Sequence, residues 1–330
     1  MHEAETWREL LRSSIENVYE RQRIASELGI NPATLMRWAN GESAPRPEKL
    51  RRLIDALPQQ RERLIELLGR EFEGFSAMMQ DEERQGESTV IPSEFYARVL
   101  HTRSNTLQSL LLPLLCDLIL QQALEQLDPD RQGMAIMVST CMPPSTSRKV
   151  RSLRERFGRG TPPWRRDLAQ QAIFLGVESL AGYVIGSMHL EVNQNLRDVQ
   201  SRSPGYRGPW EESAAAVPIM SMGKVAGSLL VSSTQSNYFL PARCEIIESY
   251  AKLIALAFAP EDFYELEQIE LSFLPPYEAQ QPYLSGFQKR VIALVQQHAM
   301  PFIEAEQTAW QQIEAELLQY SLVNNHQEVP

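Results

Sequence analysis

The sequence predicts a multidomain chain: an all-α N-terminal domain, an α+β domain with an antiparallel sheet and flanking helices, and a helical C-terminal tail. Three observations lead there. Before residue 70 the apolar residues recur only at helical spacing. Between residues 134 and 233, short apolar runs are bounded by glycine and proline, as strands are. Beyond residue 284 helical spacing returns.

In the N-terminal part, Leu10, Leu11, Ile15 and Val18 start the helical pattern. Ile24, Ala25 and Leu28 continue it, followed by Leu35, Met36 and Trp38, then Leu50, Leu53, Ile54 and Leu57, where Pro58 stops it. A last helix from Gln60 to about Met79 carries Leu64, Leu67, Leu68 and Phe72. The polar run DEERQGES that follows reads as a linker. The expected divisions are 1–79 for the first domain, 80–91 for the linker, 92–260 for the second domain and 261–330 for the tail.

The second domain is expected to open on a long helix, Phe95 to about Leu127, kinked at Pro113, which lacks the N–H for an i→i−4 bond. Met134–Cys141 (MAIMVSTC) reads as a strand. Two helices are expected next, Arg165–Leu175 and Ser179 to about Ser187. Strands follow near 190–193, 213–221 and 225–233, the last two joined by a tight turn at Met222-Gly223-Lys224. Pro241–Phe258 reads as an amphipathic helix. The tail begins acidic and proline-broken, then forms helical pieces at about 284–299 and 301–320.

At 330 residues, 43% hydrophobic and 22% charged, the chain has the composition of a soluble globular protein of two to three domains. No apolar run reaches ~18 residues, and the N-terminus lacks a secretory signal, so no membrane association and a cytoplasmic location are expected. Cys116, Cys141 and Cys244 are scattered and form no disulfide or zinc pattern. GxxxxGK[ST], HExxH and GxSxG are all absent, as is a carboxylate cluster with metal spacing, so an enzyme is not expected. No cofactor can be named from these residues. The net charge is -10, yet the stretch 147–167 holds eight cationic side chains against two carboxylates. Any nucleic-acid surface is therefore local.

The segment ERQRIASELGINPATLMRWANGESAPRPEKLRRL (20–53) resembles the helix-turn-helix of the Cro and phage-repressor family. Gly29 stands at the left-handed turn position and Ile30 between the helices, while Asn31 caps the next helix and Pro32 starts it. Trp38, Gly41, Pro45 and Leu50 stand where the family often has these residue types. The resemblance implies double-stranded DNA as partner. By position, Ala33, Thr34 and Arg37 face base edges, with Asn40 as an extra contact. Gln22 holds a phosphate, and Arg21, Arg23, Arg46 and Lys49 act as electrostatic anchors. Dimerisation is expected, because one such domain buries little DNA.

Residues 92–260 resemble a GAF domain. FLGVESLAGYVIGSMHLEV, AAAVPIMSMGKVAGSLLVSST and the closing helix CEIIESYAKLIALAF carry the resemblance, with Gly176, Leu180, Ala181, Gly182 and Val184 matching a family pattern. It implies a sheet with a small-molecule pocket, in a family that binds cyclic nucleotides, tetrapyrroles, haem or aromatic metabolites, or nothing. The residues expected at the pocket are Met137, Ser139, Cys141, Tyr183 and His189, with Arg151 and Arg154 beside it for an anionic effector. Cys141 is either a thiol sensor or a buried inert thiol. For the basic stretch three uses remain open: a solvated or internally paired face, an anion site, or added DNA contact.

Together the two resemblances imply a one-component transcriptional regulator. A helix-turn-helix reads DNA, a GAF-type domain senses a small molecule or redox state, and long helices form a homodimer. Two other readings stand beside it: the GAF fold is only a dimerisation or interaction scaffold without ligand, or the helix-turn-helix docks protein.

Overall fold

The computed structural model describes residues 6–45, 47–57, 60–71, 90–144, 148–168, 173–197 and 209–325. Its contacts divide the chain into two compact units, 1–87 and 88–330.

The first unit contains α1 (Trp7–Ser14), α2 (Val18–Leu28), α3 (Pro32–Ala39), α4 (Pro47–Ala56) and α5 (Arg61–Glu71). Thr6 and Glu9 form a reciprocal capping box that starts α1. Trp7, Leu11, Ile24, Leu28, Leu35, Trp38, Leu53 and Leu68 share one core. Between α2 and α3, Gly29 adopts φ 61°, the left-handed geometry that lets the Ile30 N–H reach the Ala25 carbonyl at 3.0 Å. The Asn31 side chain accepts the Ala33 N–H at 2.9 Å. The expected last helix ends at Glu71, and the rest of its range, like residues 80–89 of the linker, lies outside the described residues.

The second unit is a six-stranded antiparallel sheet in the order β3-β2-β1-β6-β5-β4. Its strands are β1 (Met134–Cys141), β2 (Leu153–Gly160), β3 (Phe174–Leu175), β4 (Glu191–Asn193), β5 (Ser213–Ser221) and β6 (Lys224–Ser233). The β5–β6 turn places Met222 at φ 51° and Gly223 at φ 79°, both positive as a type I′ hairpin requires. On one face of the sheet pack α6 (Ser93–Asn105), α7 (Gln108–Leu127) and α9 (Pro241–Ala255). Their Leu115, Ile119, Ile247 and Ile254 meet Ile136, Val138, Val217, Leu229 and Val231. On the other face lies α8 (Leu180–Ser187).

Two expectations are corrected. The helix expected over 95–127 is two helices, and the break falls at Thr106–Leu107 instead of Pro113. Thr106 is extended (φ -110°, ψ 140°), and the Asn105 side chain ends α6 by donating to the His101 carbonyl. Pro113 is absorbed into α7 at the cost of one intrahelical bond. The helix expected over 165–175 is not formed in its described residues: Asp167 bridges Arg159 and Phe174–Leu175 forms β3. The helical apolar spacing there is overridden by sheet pairing at the edge of β2. The basic stretch supplies β2.

The α7 helix is long and apolar enough to cross a membrane, but its Leu111, Leu115, Ile119, Leu120 and Ala123 are buried in the core. The C-terminal segment belongs to the second unit. Residues 260–275 run along the sheet through two 3-10 turns, pairing Tyr264 with Val225 and Ile269 with Val150. A further helix, α10 (Tyr277–Leu284), precedes α11 (Phe287–His298) and α12 (Phe302–Asn325). Gln280 of α10 is buried, and its amide bonds both the N–H and the carbonyl of Phe174, satisfying an edge-strand backbone as another strand would.

Candidate functional site

The site follows from the phase of β2. Ser139 pairs with Glu155 and Val138 with Phe157, so Arg156 is an extra, bulged residue. The bulge keeps Glu155 and Gly158 on the face under α8, while Arg154, Phe157 and Arg159 turn to the helix-packed face. There Arg159 pairs with Asp117 of α7.

On the α8 face a cavity of about 130 Å³ opens beside the helix. Ala135, Met137 and Leu230 form its apolar floor, and Ser179 and Ala181 stand at the start of α8. Trp164 and Trp210 meet edge to face at the cavity, centroids 6.1 Å apart. Among the described residues that line it, the ionisable groups are two carboxylates, Glu155 and Glu211. Burial and the nearby Glu211 push Glu155 up to about 8, so it holds a proton at neutral pH. Glu211 accepts the Ser232 hydroxyl. An ammonium or a hydrogen-bond donor suits this lining: it would meet two carboxylates and two aromatic rings, and its charge would return Glu155 to the ionised form. Among the described residues that line the cavity, an anion would meet no cation.

The wall of the cavity depends on close backbone approach. Ser179 caps α8, accepting the Gly182 N–H at 2.9 Å and donating to the Gly176 carbonyl at 2.8 Å. A Cβ on Gly182 would sit 1.9 Å from the Gly176 oxygen, and one on Gly176 would sit 1.9 Å from the Ser272 oxygen. Glu178 ties this turn to the C-terminal segment through the N–H groups of Gly176 and Leu274, at 2.7 and 3.0 Å.

Residues 112–258 match the model of the GAF domain family. These residues form a GAF domain. No curated protein matches the chain. Among solved structures, the chain is similar to a type II free methionine-R-sulfoxide reductase from Thermoplasma acidophilum, at 15% identity and a TM-score of 0.35, over 47% of this chain and 99% of that one. It is also similar to the GAF domain of a phosphoenolpyruvate-protein phosphotransferase from Acinetobacter, at 15% identity and a TM-score of 0.34, over 50% and 90%. The corresponding domain from Coxiella burnetii shows 12% identity and a TM-score of 0.34, over 49% and 89%.

The expected pocket residues are dispersed. Met137 lines the cavity. Ser139 lies in the floor of the GAF domain, fully buried beside Ser228, and neither hydroxyl has a hydrogen-bond partner. Tyr183 and His189 are exposed and line no part of this cavity; the His189 ring bonds the nearby Ser187 carbonyl. Arg151 pairs with Glu270 at 2.8 Å, and Arg154 faces the opposite side of the sheet. Cys141 is buried, which pushes its thiol up to about 12, so it is held as an inert thiol and not as a reactive thiolate. Glu155 and Glu211 went unnoticed in the sequence. One signal was available: Glu155 is the lone carboxylate within RSLRERFGR.

In the first unit, Gln22, Ala33, Arg37 and Asn40 are exposed and Thr34 is partly so. Arg37 lies 4.0 Å from Glu42. Two expected anchors are already engaged. Arg23 bonds Glu20, Glu27 and the Ala56 carbonyl, and Lys49 donates to the Leu28 carbonyl at 2.6 Å. Arg21 approaches the Met36 sulfur at 3.4 Å. Arg46 lies outside the described residues.

Proposed function

We propose that the chain is a DNA-binding regulator, not an enzyme, whose GAF domain senses a small molecule bearing an amino or other cationic group. The observation that carries the DNA half is the turn into α3. The left-handed Gly29 and the Asn31 cap supply a short turn, and α3 buries Leu35, Trp38 and Ala39 while exposing Ala33, Met36 and Arg37. An exposed N-terminal half with an arginine one turn along is what a recognition helix offers a major groove. Arg37 is the residue assigned to base reading, and Gln22 and Arg21 to phosphate. The sensor half rests on Glu155, Glu211, Trp164 and Trp210 around one cavity.

Regulation of a two-fold DNA site calls for a homodimer. Leu107, Leu110 and Leu114 form an exposed apolar stripe on α7, with Leu100 exposed on α6, and a second copy is the assigned partner for this stripe. Selection of duplexes from a random pool by the full chain tests the reading. Enriched sequences should bind with salt-dependent affinity, and Arg37→Ala should weaken binding about 10- to 100-fold. Failure of the parent chain to enrich any duplex would sink the DNA reading. Failure to bind amines, with DNA binding intact, would sink only the sensor half.

A further inference from the structure

A second cavity, of about 240 Å³, lies on the opposite side of the sheet, between β2 and the C-terminal helix α12. Arg154, Arg156, Gln307 and Trp310 line it, with Thr140 and Cys141 at the end of β1. The Arg154 guanidinium lies 4.1 Å from the Trp310 ring centroid, and Phe287 stacks on that indole at 3.8 Å, with Phe174 tilted against it at 6.0 Å. Two buried donors here have no hydrogen-bond partner: Nε of Arg154 and Nε1 of Trp310. Among the described residues neither Arg154 nor Arg156 forms an ion pair, whereas three neighbours in the basic stretch have partners. Arg151 takes Glu270, Arg159 takes Asp117, and Lys149 donates to the Glu267 carbonyl. Two carboxylates also line the cavity. Asp262 already accepts the Ala259 N–H at 2.9 Å, and Glu306 is half-buried and not in ion-pair contact with either arginine.

Holding the Arg154 guanidinium in a partly desolvated cavity beside a second arginine, with Glu306 in the same cavity but out of ion-pair contact, is unfavourable unless something completes the arrangement. Burial and the neighbouring Arg156 push Arg154 down to about 9, against the raising effect of Glu306. The fork of a guanidinium matches the oxygens of a carboxylate or phosphate, and the indole Nε1–H offers one more donor.

We propose that the cavity between β2 and α12 is a binding site for a small carboxylate- or phosphate-bearing molecule, held by Arg154 and Arg156 against Trp310. It is separate from the sensor cavity, lies on the other face of the sheet and takes ligands of the opposite charge. Because α12 forms one wall, occupancy stabilises the docking of the C-terminal helices on the GAF domain. The site does not depend on DNA binding or on amine sensing.

The test uses the full chain, with inorganic phosphate, citrate and benzoate as probes and sodium chloride at matched ionic strength as the control. Thermal unfolding and tryptophan fluorescence report binding. At least one probe should raise the unfolding midpoint and change the fluorescence saturably, where chloride does not. Arg156→Gln, at the rim, should weaken that response at least tenfold, and Arg154→Met should abolish it while melting no lower than the parent without probe. Absence of a saturable response to all three probes would overturn the site. So would a response that survives both substitutions, or a ligand-free Arg154→Met protein that melts well below the parent, since the guanidinium would then serve packing alone.

Discussion

Arg154 and Glu155 are neighbours in the chain and end on opposite faces of the same strand. Under α8 the sheet presents carboxylates and a tryptophan pair; under α12 it presents arginines and a single indole. Neither face could be read from the charge of the segment, which is strongly basic throughout. Strand alternation sorts side chains by parity, and one bulge at Arg156 resets that parity. The lone acid thus reaches the sensor cavity while the arginines go elsewhere. The charge of a segment and the charge of the site it builds are different quantities.

The largest expected effect breaks the wall of the carboxylate face. Gly182→Ala forces a Cβ to within 1.9 Å of the Gly176 carbonyl. The loss should be about 3 kcal/mol or more, read as a lower urea midpoint. An unchanged midpoint would mean that α8 can shift away, and that the glycine is not what sets this wall.

Glu155→Gln separates burial from charge on the same face. The folded value of Glu155, about 8, lies above its ordinary 4.5, so the folded chain retains a proton that the unfolded chain releases. The resulting stability is complete below about pH 4.5 and is lost as pH rises through about 8. Above that pH the glutamine variant should exceed the parent by on the order of a few kcal/mol, while the two converge in acid. Parallel curves across the range would remove Glu155 from the pH dependence.

The arginine face carries a weaker counterpart in Glu314 of α12, buried and bonded to the Ser152 hydroxyl. Burial raises it to about 7, against the lowering effects of the Ser152 bond and of Arg151. Glu314→Gln keeps a hydrogen-bonding side chain and removes the charge. It should stabilise the protein by on the order of 1–2 kcal/mol above pH 7 and little below pH 5, measured by thermal unfolding across pH. The smallest effect belongs to Arg159→Ala. Its partner Asp117 is well exposed, so loss of the pair should cost less than about 1 kcal/mol.

Much of the fold was legible because its signals are local. The Gly29, Asn31 and Pro32 turn, the Met222-Gly223 hairpin and the 213–221 strand follow from residues adjacent in the chain. The misread elements were those that neighbours far along the chain decide. Residues 165–175 have helical spacing, yet β2 and Gln280 draw Phe174–Leu175 into the sheet. The break before α7 rests on the Asn105 cap, and proline, the obvious breaker, sits inside the helix. At the candidate site Met137 was legible as an inward strand residue. Glu211 was not, since it lies outside any periodic segment and reaches the cavity only through the fold.

By itself the sequence determined which segments are helix or strand wherever one period dominates, and where glycine must stand, because these depend on backbone sterics and nearest neighbours. Tertiary structure alone decided which face each charge of RSLRERFGR occupies, because parity on β2 depends on its pairing with β1. It also decided that the C-terminal segment packs on the sheet, since contacts such as Val150 with Ile269, Phe174 with Gln280 and Ser152 with Glu314 join residues more than a hundred positions apart.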